Sequence, residues 1–244
     1  MDVAIRGDRA SCLTMRMGRQ SWLLAVARGF GSIDGIPIER ALLARLRQEC
    51  ERRSRGRRFR RSIDRPQAAA AAMLGVVARV NGDVHARTAS HDDYVTAAAS
   101  LTAVFAVRGS AYVLHSGTTA AYLIRDGRVT ALTDDDALHD GSAPLLLRAL
   151  GTASTLEMTV SSVRVGEGDV IVLTGRRLER EPDAARLLQH VESAGPWEQA
   201  LLARFDRDDA SDVASEPHRA TLGAVTIARI AIAALLVIAM VLAR

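Results

Sequence analysis

With 244 residues, of which 48% are apolar, the chain is long enough for one packed domain and an appendage, and at 4% aromatic its core must be aliphatic. The formal charge of +4 comes mainly from arginine. Cys12 and Cys50 come without a C-x-x-C pair or a matching histidine pair, which excludes a disulfide scaffold and a zinc site and agrees with a reducing compartment.

No apolar run precedes Trp22, so no signal peptide is expected. Strands are predicted at Cys12–Met17 and Ser21–Ala27. The second, W-L-L-A-V-A, enters a glycine-rich turn at Arg28-Gly29-Phe30-Gly31. Ile38, Leu42, Leu43 and Leu46 recur at helical spacing after Pro37 and predict a helix over Pro37–Arg53. The arginine-rich run from Arg45 to Arg65 outlasts that pattern and is expected as an exposed helix end plus loop, closed by Pro66. It reads as a solvated linker or as a contact of Arg57, Arg58, Arg60 and Arg61 with anionic lipid, where each clustered cation gains about 1 kcal/mol. Nucleic acid is not expected, because no aromatic stacking platform or reader motif accompanies the charge.

A second helix is predicted over Gln67–Ala89, followed by a run of strands from Ser100 to Leu132. Period-two alternation over Ala111–Ile124 supports the strands. A short helix near Ala143–Ala149, strands at Leu156–Val163 and Asp169–Thr174, and helices at Asp183–Glu192 and Pro196–Phe205 complete the domain. Its bounds are 1–205, with a linker over 206–221. The six histidines (His85, His91, His115, His139, His190 and His218) show no zinc-helix spacing. His115 reads as a satisfied or partly buried strand histidine and not as a base. Asp134-Asp135-Asp136 reads as a solvated acidic turn.

Residues 222–243 read as a transmembrane helix. The apolar core Ile230–Ala243 alone spans roughly 21 Å, and with Leu222–Arg229 the helix reaches roughly 33 Å, against a hydrocarbon layer of ~30 Å. Arg229, about two turns in, can snorkel to the near headgroups. A buried helix docked on the domain or on a partner is the alternative. The basic domain on the N-terminal side implies a single-pass protein with that domain cytoplasmic.

The order of segments resembles the type 2C, metal-dependent PPM protein phosphatases. Arg6-Gly7-Asp8 stands before a first strand, where the family has N-E-D. Trp22 to Gly31 is similar to the strand that leads into its V-A-D-G-M-G-G metal turn. Val80-Asn81-Gly82-Asp83-Val84 matches an A-N-x-x-V helix pattern. Ser100 to Leu132 resembles the segment that carries its G-D-S-R, Arg148-Ala149-Leu150-Gly151 its R-A-L-G, and Val165 to Leu178 its L-x-x-G-D-x-L-L-L-x-S-D-G-L. The resemblance implies an α+β fold, a four-layer αββα sandwich of two antiparallel sheets flanked by helices.

The departures fall on the family's catalytic positions. Its metal-bridging Asp is replaced by Arg28, the Asp of G-D-S-R by Thr118, and the metal-binding Asp of S-D-G-L by Arg176. Asp8 remains, and Asp208 is a loose match to the last ligand. Guanidinium is always charged and has no lone pair for a metal. The resemblance therefore implies a domain without the catalytic cofactor, acting through protein or phosphoprotein contacts at a membrane. Three readings of the centre stay open. It is a structural salt-bridge relic, an anion pocket in which Arg28 and Arg176 hold phosphate, or a divergent phosphatase that still uses Mn or Mg. A membrane-surface scaffold with a basic lipid-binding loop is a further reading of the whole chain.

Overall fold

The computed structural model describes residues 1–88, 97–138, 145–178, 182–195 and 198–205. In chain order its strands are β1 (Asp2–Gly7), β2 (Cys12–Gly18), β3 (Ser21–Phe30), β4 (Ser32–Ile33) and β5 (Ile36–Pro37). Helices α1 (Ile38–Ser54), α2 (Arg57–Ile63) and α3 (Pro66–Thr88) follow. Then come β6 (Ala98–Val107), β7 (Ser110–Ser116), β8 (Ala120–Arg125), β9 (Arg128–Ala131), β10 (Ala137–Leu138), β11 (Leu145–Leu146), β12 (Thr159–Arg164) and β13 (Val170–Thr174). Helix α4 (Ala184–Glu192) and β14 (Gln199–Arg204) close the domain.

Two five-stranded sheets carry the architecture, in the orders β1-β14-β13-β8-β9 and β12-β7-β6-β3-β2, and every pairing in them is antiparallel. Successive strand residues point to opposite faces, and here both faces are covered. In β3, Leu23, Ala25 and Ala27 pack toward α1 and α3, while Leu24 and Val26 pack between the sheets. In β13, Ile171 and Leu173 share that middle layer, and Val170 and Val172 pack with Leu187 and Val191 of α4. Three apolar layers in a row give the order helices, sheet, sheet, helix expected from the sequence.

Four local expectations are corrected. A strand, β1, precedes Asp8. Leu145–Leu146 pairs with Ala137–Leu138 as strand, not helix. The run over 199–204 is the strand β14, paired on both sides by β1 and β13. A strand buried on both faces is a continuous apolar run, and Ala200-Leu201-Leu202-Ala203 has no periodicity to tell it from a helix. The arginine-rich run does not end in a loop, because Phe59 and Ile63 lie one turn apart on α2, and Ile63 is only 1% exposed.

Among the described residues no helix is long and apolar enough to cross a membrane. Residues 222–243, the linker over 206–221 and Asp208 lie outside the described residues, as do His91, His139 and His218.

Candidate functional site

The end of β3 leaves the core abruptly. Ala27 is fully buried, whereas Arg28, Gly29 and Phe30 are exposed. Register places Arg28 opposite Ser100 and Gly29 opposite Ala99 on β6. Gly29 is required for packing: a Cβ there would stand 2.4 Å from Ile38 Cγ2 and 2.7 Å from the Ala98 carbonyl. Its absence lets α1 begin directly beside the strand end that carries Arg28.

Ser100 links this strand end to the other sheet. Its buried Oγ accepts a hydrogen bond from the Thr118 amide at 3.0 Å and lies 3.3 Å from Thr118 Oγ1. Gly117, at φ +100°, permits the approach, since a Cβ would meet Ser100 Oγ at 2.1 Å. The Thr118 carbonyl accepts from the Arg177 amide at 3.2 Å, and the Arg176 carbonyl accepts from Thr174 Oγ1 at 2.7 Å. Arg176 itself reaches Glu198 at 3.6 Å.

Glu198 then leads to Asp8, whose amide donates to the Glu198 carbonyl at 2.7 Å. Asp8 caps the 3-10 turn Arg9–Ser11. Its Oδ1 accepts from the Ala10 amide at 3.0 Å, its Oδ2 accepts from Ser11 Oγ at 2.7 Å, and Arg40 of α1 lies 3.6 Å away. The neighbouring Cys12 thiol is pushed up to about 12 by burial and by the Asp8 carboxylate, so it is not a nucleophile at neutral pH.

A continuous path thus runs Arg28, Ser100, Thr118, Arg176–Arg177, Glu198, Asp8, Arg40 at one end of the sandwich. The sequence singled out Arg28, Thr118, Arg176 and Asp8 on it. Ser100, Arg40 and Glu198 were missed, because their role depends on strand register and on the misread β14. Arg57, Arg58, Arg60 and Arg61 are exposed on α2 and are not on this path.

These residues do not fit a two-metal centre. Magnesium and manganese take oxygen shells in which carboxylates offset the charge. Here Asp8 already accepts two hydrogen bonds and pairs with Arg40, and the other side chains on the path that the sequence singled out, Arg28, Thr118 and Arg176, bring no carboxylate. Among the described residues no three His, Cys, Asp or Glu side chains come together to hold a metal ion.

A second polar cluster lies just inside. Asp134-Asp135-Asp136 was expected to be solvated, but Asp136 is 6% exposed. It accepts from the Gly117 amide at 3.1 Å and from Arg148, and its Oδ2 is 3.8 Å from His115 Nε2. His115 Nδ1 bonds Thr102 Oγ1 at 2.9 Å, which in turn contacts Thr119 Oγ1 at 2.8 Å. Burial pushes the imidazole down, against the opposing pull of Asp136. The cluster braces the β7–β8 turn that holds Gly117 and Thr118.

No family model and no curated protein matches the sequence. Solved structures do match. The chain has the fold of the bacterial PPM Ser/Thr phosphatases. It superposes on PppA, a regulatory component of the type VI secretion system in Pseudomonas aeruginosa, at 17% identity and a TM-score of 0.61, over 84% of this chain and 96% of that one. The Mycobacterium tuberculosis serine/threonine phosphatase PstP matches at 20% identity and a TM-score of 0.58, over 84% and 99%. The PstP catalytic domain in complex with two manganese ions matches at 22% identity and a TM-score of 0.57, over 82% and 96%.

Proposed function

We propose that this chain is a non-catalytic phosphatase-like domain, tethered to the cytoplasmic face of a membrane by residues 222–243, that acts by binding a protein or phosphoprotein partner. A fold of this kind can keep its shape after losing its chemistry, because function resides in the site. The observation that carries the reading is the engagement of Asp8 by Arg40 on a path whose other family metal positions are Arg28, Thr118 and Arg176. Fixed positive charge there repels a divalent ion and favours an anion such as a phosphorylated side chain. The partner classes that suit it are a phosphoprotein, a kinase or an assembly subunit.

The retained Asp8 and the manganese-bound PstP neighbour favour a second reading, a divergent metal-dependent Ser/Thr phosphatase with other ligands. One experiment separates the two. The full chain in nonionic detergent is assayed for p-nitrophenyl phosphate turnover with manganese and with magnesium. No metal-dependent rate is expected. A clear rate that Asp8→Ala abolishes would overturn the non-catalytic reading.

A further inference from the structure

At the far end of β3 from Arg28, two hairpin turns and a helix enclose a polar cleft. Ser21 lies seven positions before Arg28, roughly 23 Å of extended strand. Ser21 pairs with Val107, so the β2–β3 and β6–β7 turns lie side by side, joined by a bond from the Arg108 amide to the Gln20 carbonyl at 3.3 Å. Arg16 stiffens the first turn: its guanidinium donates to the Gly18 and Arg19 carbonyls at 3.1 and 3.0 Å and lies 5.8 Å over the Trp22 ring. Gly18 leaves room for α2, because a Cβ there would come 3.1 Å from Asp64 Oδ1.

The cleft is open to solvent, with a volume of about 490 Å³. Arg19 comes from the first turn, Arg108 from the second and Arg60 from α2, and Asp64 is the one carboxylate in the lining. Buried Ile63 and Val107 contribute apolar lining. Among the described residues none of the three arginines is tied to a carboxylate. All three are exposed, and Arg57, Arg58 and Arg61 add exposed cations along the same helix.

We propose that this cleft binds a phosphate-bearing ligand, held by Arg19, Arg60 and Arg108. The planar guanidinium fork matches phosphate oxygens two at a time, and three forks from three separate elements make a cradle that no single basic helix offers. The polar lining argues against an apolar peptide. The adjacent cations of α2 extend the positive field outward and suit a phosphate presented at a membrane surface. The inference does not rest on the reading of the Arg28 centre.

Calorimetric titration of the full chain in nonionic detergent with pyrophosphate tests it. Binding should weaken several-fold as salt is raised, because the arginines are exposed. Arg60→Gln and Arg108→Asn should each weaken binding at least fivefold, and Asn suits the φ of +47° at position 108. Asp64→Asn should tighten it, which a merely structural role would not produce. Arg128→Gln, at an exposed arginine on β9 of the other sheet, should leave it unchanged. Competition by micelles doped with phosphatidylglycerol, and not by phosphatidylcholine, would assign the ligand to a lipid headgroup; its absence would assign it to a soluble phosphate ester. No binding of pyrophosphate, or binding indifferent to Arg60 and Arg108, would overturn the proposal.

Discussion

Arg28 stands directly opposite Ser100 across the β3–β6 pair, and Ser100 Oγ accepts from the Thr118 amide in the β7–β8 turn at 3.0 Å. Two positions that the sequence resemblance aligns with metal-binding acids of the type 2C phosphatases are therefore linked through the strand pair and one buried hydroxyl. Whatever side chains stand at positions 28 and 118, the scaffold between them rests on Ser100 and the backbone of Gly117 and Thr118.

Charge reversal at that end should change metal affinity in a non-additive way. Arg28→Asp with Arg176→Asp removes two cations and adds two carboxylates, and manganese affinity should rise at least about tenfold. Either change alone should have little effect, because the remaining guanidinium still repels the ion. Isothermal titration with manganese reads the result. Equal gains from the single variants would mean that the two arginines do not share a field. Turnover need not return, because Thr118 also departs from the family's acid.

A buried amide helps to pin the long helix to the loop after β11, beside bonds from His85 and Thr88 to the Gly151 carbonyl. Asn81 is 1% exposed, donates to the Ala153 carbonyl at 2.9 Å and accepts from the Gly151 amide at 2.9 Å. Asn81→Ala leaves both backbone groups without that partner and should cost about 2–3 kcal/mol. Asn81→Asp keeps the acceptor but sets a buried carboxylate against the Ala153 carbonyl, so it should cost at least as much at neutral pH and less as pH falls. Denaturant midpoints at unchanged slope measure this. A shift near zero would show that water replaces the amide.

Much of this architecture was legible because its signals are local. The alternation in Ala111–Ile124, the glycine-rich turn after Ala27 and the helical spacing after Pro37 are each readable without long-range information. The A-N-x-x-V pattern served only to match the long helix; the role of Asn81 depends on partners about seventy residues away. What failed depended on burial. β14 has an apolar run that suits helix or strand equally, and only its two strand neighbours decide. Asp136 sits in a triple-aspartate run that looks solvated, and only the fold brings Arg148 and the Gly117 amide to it. The cationic positions Arg28 and Arg176 were visible in the sequence, whereas Arg40 as the partner of Asp8 was not.

His115 makes stability depend on pH. Its folded value lies below the ordinary imidazole value of about 6.5, chiefly because burial disfavours the cation. The unfolded chain therefore takes up a proton first. Stability should be full above about pH 6.5 and fall as pH drops from there toward the folded value. His115→Asn should remove that slope while leaving the lower acid limb of Glu49. Arg52 holds the Glu49 carboxylate down at about 2, with Arg53 adding to the pull, so its contribution is lost only below about pH 4. Unfolding midpoints between pH 4.5 and 8 test the assignment. An unchanged slope in the variant would place the titration elsewhere.

The tail carries the membrane proposal, and extraction chemistry tests it. A helix held by apolar burial resists high salt and alkaline carbonate, whereas a domain held by arginine contacts is released by salt. The full chain should remain with the membrane pellet under both treatments. A chain stopped at Pro217 should move to the soluble fraction at high salt, even if its exposed arginines keep part of it on anionic membranes at low salt. Replacing Ile230 and Leu235 with Lys should mimic the truncation, since each charge at helix depth costs about 2.5–3.5 kcal/mol. Recovery of the intact chain in the soluble fraction without detergent would refute the anchor and favour a C-terminal helix packed on protein.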